Sequence, residues 1–121
     1  MNKKQMAIKF LELASCGKVK EAYGKFVHPD FKHHNAYFKG DRETLMEEME
    51  KNFHECPDKT YETIRTLEDG DLVAVHGKVS NVFGKDWSVI HIFNFKDAKI
   101  IEEWEASQED IKDSPNENGI F

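Results

Sequence analysis

Trp87-Ser88-Val89-Ile90-His91-Ile92-Phe93-Asn94-Phe95 and Ile100-Ile101-Glu102-Glu103-Trp104-Glu105-Ala106-Ser107-Gln108, joined by Lys96-Asp97-Ala98-Lys99, read as two long strands around a tight turn. The first run is rich in Val, Ile, Phe and Trp, which suit a pleated, half-buried surface. Alternation puts Trp87, Val89, His91, Phe93 and Phe95 on one face. The second run sets Ile101, Glu103, Glu105 and Ser107 against Ile100, Glu102, Trp104, Ala106 and Gln108. A titratable histidine thus stands mid-strand on an apolar face, and its hairpin partner carries carboxylates flanking a tryptophan. An ordinary core strand needs neither. Counting back from the turn pairs His91 with Glu103 or Trp104, so Glu105 is expected at a diagonal, ~7–8 Å between strands.

Upstream of the hairpin the chain is first helical, then extended. Met6, Ala7, Phe10, Leu11 and Ala14 follow the i, i+3, i+4 spacing of a helix over Lys3 to Ala14, which Gly17 ends. Val19, Ala22, Tyr23, Phe26 and Val27 mark a second helix from about Lys18 to Val27, stopped by Pro29. Phe31 to Phe38 reads as a brief strand or irregular crossing, with His33 pointing outward. Asp41 caps a third helix whose buried stripe is Leu45, Met46, Met49 and Phe53. Thr60 to Leu67 and Leu72 to Val82 read as strands joined through Glu68-Asp69-Gly70-Asp71. Short turns between long strands predict an antiparallel meander. Three helices followed by such a sheet make an α+β domain in which a curved sheet wraps the helices and leaves a cone-shaped pocket.

A length of 121 residues fits one domain, 1–121. The formal net charge of -6 argues against a nucleic-acid partner, whose affinity comes from clustered Lys and Arg. No apolar run approaches the ~20 residues of a bilayer span, and Met1 to Gln5 is unlike a signal peptide. The expectation is a cytoplasmic protein with no membrane contact, in which Cys16 and Cys56 are reduced thiols.

Several pieces resemble a known family: His34-Asn35, Pro57-Asp58, Gly70-Asp71-Leu72-Val73-Ala74-Val75-His76, Ile92-Phe93-Asn94-Phe95-Lys96-Asp97-Ala98-Lys99-Ile100, then Glu102, Trp104 and Gln108, and the terminal Asn118-Gly119-Ile120-Phe121. Their order and spacing, over nearly the whole chain, resemble the SnoaL-like group of the nuclear transport factor two-like superfamily, named for a polyketide cyclase. The resemblance implies a cone-shaped α+β barrel, frequent homodimers, a deep pocket and cofactor-independent aldol closure. It also implies that an aspartate on the last strand acts as general acid/base with a strand histidine assisting. Here those positions match Glu105 and His91. Glutamate for aspartate moves the carboxyl by ~1.5 Å, which matters where reacting groups must sit within ~3–3.5 Å.

The catalytic candidates are therefore His91 and Glu105, with Glu103 the rival carboxylate by parity. Their plain alternatives are a satisfied core histidine and a strand-end carboxylate. His34, Asn35, His76, Glu103 and Trp104 are candidates for substrate binding, against turn chemistry for Asn35 and a core or interface role for Trp104. Six histidines raise the question of a metal, which would fall to His34, His76 and His91, yet no helical His-x-x-x-His pair occurs. The expectation is no metal and no cofactor. The expected partners are a small hydrophobic or carbonyl-containing molecule and a second copy of the chain. The leading function is proton transfer beside a carbonyl, of the aldol cyclisation or isomerisation type. The alternatives are a non-catalytic module holding a hydrophobic ligand in the same cone and a purely structural dimer.

Overall fold

The computed structural model describes all 121 residues. The elements run α1 (Lys3–Ser15), α2 (Val19–Phe26), β1 (Val27–His33), α3 (Arg42–Glu55), β2 (Thr60–Asp69), β3 (Leu72–Val82), β4 (Lys85–Lys96) and β5 (Lys99–Glu109). The sheet order is β1-β5-β4-β3-β2. β2 to β5 form the expected antiparallel meander, and the three helices cover its concave face. Two features differ from expectation. The sheet is mixed, because β1 joins β5 in parallel, and it stays open rather than closing into a barrel.

β1 also begins earlier than the sequence suggests. Helix α2 ends at Phe26, and Pro29 lies inside an edge strand rather than stopping a helix. Proline is tolerated there because the pairing of β1 is interrupted between Val27 and Lys32, so no ladder hydrogen bond is lost. Asp41 caps α3 as expected, accepting from the Thr44 amide, and Asn2 and Gln5 cap α1 reciprocally.

The core lies between α1, α2 and the concave sheet face. Phe10 meets Tyr23 and Phe93 edge-on, at centroid distances of 5.4 and 5.8 Å. Phe93 is fully buried, and its truncation to alanine would cost about 3–5 kcal/mol. Gly77 is required for a packing reason: a Cβ there would stand 2.5 Å from the Tyr61 ring.

One irregularity decides which side chains enter the concavity. The turn Asp97-Ala98 has φ of 53° and 59°, and Lys96 pairs with Lys99 and Phe95 with Ile100. The next pair is Asn94 with Glu102, so Ile101 is an extra residue in β5. Beyond it, His91 pairs with Glu105 directly and Phe93 with Glu103. The diagonal expected between His91 and Glu105 is thus corrected to a face-to-face pair. Without the bulge, Glu102 and Trp104 would look inward; with it, Glu103 and Glu105 do.

Candidate active site

The concave face of β3, β4 and β5, with α1 and α3 above it, encloses a cavity of about 370 Å³, within the range of small-molecule sites. Its walls are mainly apolar and aromatic, including Phe10, Leu11, Met49, Val79, Trp87 and Val89. At one end the wall turns polar, where His91, Glu103, Glu105, Asn35 and Tyr23 converge. His91 Nε2 lies 3.5 Å from Glu103 Oε1 and 3.9 Å from Glu105 Oε1. The imidazole is stacked on Phe93, with ring centroids 5.6 Å apart, and its buried Nδ1 has no partner. Glu105 is held from the other side, where Asn35 Nδ2 donates to Oε2 at 3.0 Å. His33 in turn sets Asn35, its Nδ1 accepting the Asn35 backbone N–H at 3.1 Å.

Burial sets the charges. It pushes the Glu103 carboxyl well above the usual carboxylate range, and the adjacent Glu105 charge pushes it further. It also pulls His91 below the ordinary histidine value, against the opposing pull of Glu105. The Tyr23 hydroxyl is raised by burial and then by the Glu103 and Glu105 charges. His91 and Glu103 stand within ion-pair distance, yet burial favours the neutral form of each, and the charge His91 senses is that of Glu105. Burial thus favours the neutral imidazole of His91, the acid form of Glu103 and the neutral phenol of Tyr23, which are grouped around Glu105. Carboxylic acids kept neutral in an apolar site can donate hydrogen bonds.

Residues 8–103 match the SnoaL-like domain. The chain belongs to the SnoaL-like family. No curated protein matches the chain in sequence. Among solved structures, an NTF2-like protein of unknown function from Cytophaga hutchinsonii is similar, with 16% identity, a TM-score of 0.73, and coverage of 89% of this chain and 91% of that one. IdmH, a putative polyketide cyclase from Streptomyces antibioticus, is 19% identical with a TM-score of 0.71, over 88% of this chain and 93% of its own. AclR, a putative hydroxylase from Streptomyces galilaeus, is 17% identical with a TM-score of 0.69, over 88% of this chain and 81% of its own. At these identities the likeness is one of fold. The same fold thus carries proteins named for different chemistries, and the site has to speak for itself.

In this SnoaL-like chain the structure brings His91, Glu103, Glu105 and Asn35 to the cavity. It places His34, His76 and Trp104 on the opposite, convex face, which corrects the expectation that they line the pocket. His34 is stacked on Trp104 at 5.1 Å, and its Nε2 meets Glu102 Oε2 at 2.6 Å. His33, expected outward, is the buried member of the pair, lying between Phe31 and Phe38. The reason is again register: β1 runs through His33, pairing it with Glu103, and the alternation sends His34 the other way. His76 sits between Arg65 and Ser88, its Nε2 2.8 Å from Ser88 Oγ. Arg65 can only donate to Nδ1, so Nε2 carries the proton and His76 is no base for Ser88.

His34, His76 and His91, the candidate metal ligands by residue type, are therefore not gathered. The group that is gathered is His91, Glu103 and Glu105, whose ligand atoms lie within 4.8 Å of one another. A nitrogen and two carboxylates so placed are a chemically suitable donor set for a divalent cation. Tyr23, Tyr61, Asn52 and Lys59 also line the cavity, and none of them stands out in the sequence. Tyr23 lies on the apolar stripe of α2 and reads as core; Lys59 and Asn52 carry no pattern signal at all.

Proposed function

We propose that this SnoaL-like chain binds a small, largely apolar carbonyl compound in the concave cavity and moves a proton at the carbon beside its carbonyl. One observation carries the reading. Three titratable side chains converge at one end of an apolar cavity, and two of them, His91 and Glu103, are buried without a side-chain hydrogen bond to the protein. A structural core would pair such groups or do without them. Glu105, positioned by Asn35, takes the α-proton. The electron pair moves onto the carbonyl oxygen, which the protonated Glu103 carboxyl and the Tyr23 hydroxyl stabilise by donating hydrogen bonds. The enolate then closes on a second carbonyl of the same molecule, or is reprotonated at another carbon. When the product oxygen takes the Glu103 proton, His91, which lies between the two carboxyls, can return to Glu103 the proton that Glu105 took, restoring both groups.

The test works without the natural substrate. Simple β-diketones and cyclic enones in deuterated water, followed by NMR, report exchange at the α-carbon directly. Wild-type protein is expected to accelerate that exchange, and Glu105→Gln to lower the rate by ~100- to 10,000-fold. Saturable binding with no exchange in any compound would replace catalysis by a ligand-holding role.

A further inference from the structure

The cavity has a second polar end. Tyr61, Val79 and Trp87 form one cross-strand row, and His91 lies four residues further along β4, ~13 Å away at ~3.3 Å per residue. Lys59 lies on the far side of that row, just before β2, and lines the cavity together with Asn52 of α3. Lys59 Nζ donates to Asn52 Oδ1 at 2.6 Å. It is half-buried, and its one side-chain partner is the neutral Asn52 amide rather than a carboxylate.

This pair offers donors only. Lysine cannot accept, so the Asn52 oxygen must face Nζ, and the Asn52 amide nitrogen is turned away from it. The two remaining ammonium N–H groups and that amide have no protein acceptor. An uncompensated cation at an apolar wall is costly, and an anion seated there would relieve the cost. Burial already pulls the Lys59 ammonium below its ordinary value, as expected of a cation without a counterion.

We infer that Lys59 and Asn52 form a head-group site for a carboxylate, so that the ligand of this cavity is an acid with an apolar body and a carbonyl at its far end. One carboxylate oxygen meets the ammonium and the other the Asn52 amide. The body lies along Tyr61, Val79 and Trp87, and the carbonyl reaches Glu103 and Glu105. The position of the carbonyl rests on the proton-transfer reading above; the head-group site does not.

The experiment separates the two. Binding of 2-naphthylacetate and of its methyl ester is followed by the fluorescence of Trp87, in a Trp104→Phe background that removes the signal from the convex face. The acid is expected to bind ~10- to 100-fold more tightly than the ester, the range of a charge-assisted hydrogen bond. Lys59→Met should erase the preference and Lys59→Arg should keep most of it. Asn52→Asp, which supplies a carboxylate from within the protein, should also erase it, and melting curves of each variant report whether it has folded. Glu105→Gln should leave the preference intact while stopping α-proton exchange. Equal binding of acid and ester, a preference that survives both Lys59→Met and Asn52→Asp, or no binding of either at millimolar concentration would overturn the head-group site. A preference with no α-proton exchange would leave the head-group site standing and remove the catalytic reading alone.

Discussion

The two faces of the sheet carry the same kinds of residue and put them to opposite uses. On the convex face His34 meets Glu102 at 2.6 Å and lies flat on Trp104. On the concave face His91 faces Glu103 at 3.5 Å and lies flat on Phe93. The convex pair is wet, with 46% and 19% of the side chains exposed, and the two groups satisfy each other. The concave pair is dry, at 11% and 7%, and neither group is satisfied by the protein. A histidine, a glutamate and an aromatic ring therefore do not define a site. Desolvation turns the same three side chains from a surface contact into a buried group in which the charged forms of His91 and Glu103 are disfavoured.

The sharpest way to test this contrast is a matched pair of substitutions on β5. Glu105→Gln, on the concave face, should lower α-proton exchange by ~100- to 10,000-fold. Trp104→Phe, one residue away on the convex face, should leave it within ~2-fold, because no substrate atom reaches that side. NMR exchange rates on both variants decide the matter. Equal losses would mean that the sheet face has no bearing on the chemistry.

The second prediction concerns what covers the convex face. Ile90 and Ile92 are 46% and 38% exposed there, beside Trp104. We propose that a second copy of the chain packs on this surface about a two-fold axis, burying on the order of 1,600 Å². Ile92→Lys, at the centre of the patch, should weaken association by at least ~2 kcal/mol, about 30-fold in the dissociation constant. Sedimentation equilibrium checks this. A wild-type chain that is monomeric at high concentration would mean that this face is covered by something else or left open.

Much of this contrast is legible in the sequence, and the places where reading fails have a shared cause. The three helices, the meander, the Asp41 cap and the inward face of His91 follow from local periodicity and turn chemistry, which the chain obeys almost everywhere. The failures fall where pairing or packing between distant segments decides, including which side of a strand a residue faces. Ile101 is an ordinary β-branched residue with no glycine or proline beside it, so nothing local announces the bulge that pairs His91 with Glu105. His33 and His34 are adjacent, and which one turns inward depends on a parallel pairing with a strand some 70 positions later in the chain. His76 looks equivalent to His91 because both stand mid-strand; its partners Arg65 and Ser88 come from the neighbouring strands. Tyr23, Asn52 and Lys59 reach the cavity through tertiary packing alone.

The third prediction reads desolvation as stability against pH. The folded-state pKa of Glu103 is raised, so between the unfolded value near ~4.5 and that raised value the unfolded chain releases a proton that the folded chain keeps. Stability therefore falls as pH rises through this window, by up to ~1.4 kcal/mol per pH unit. The folded-state pKa of His91 is lowered, so between it and the unfolded value near ~6.5 the unfolded chain binds the extra proton, and stability rises with pH. Where the windows overlap the two slopes oppose each other. Glu103→Gln removes the first and should expose the second, so its stability climbs toward pH 6.5 and stays above wild type at pH 8. Urea denaturation from pH 4 to pH 8 measures both curves. Parallel curves would show that Glu103 titrates as if it were in water.

The smallest effect is expected one residue before Glu103. Glu102 accepts from His34 at 2.6 Å and lies 3.8 Å from Lys32 Nζ, in a contact open to solvent on its partners' side. Glu102→Gln keeps an acceptor oxygen for His34 and loses only the charge. Exposed pairs of this kind contribute about 0–1 kcal/mol, and salt screens part of that. The variant should therefore be less stable by at most ~1 kcal/mol, the deficit should shrink in ~1 M salt, and α-proton exchange should be unchanged. Glu102→Gln and Glu103→Gln are the same chemical change at adjacent positions. At pH 8 the first should destabilise slightly and the second stabilise, because one removes a charge that water and His34 already accommodate and the other a charge that the core disfavours. If both shift the urea midpoint in the same direction by similar amounts, burial is not what separates the two faces of this sheet.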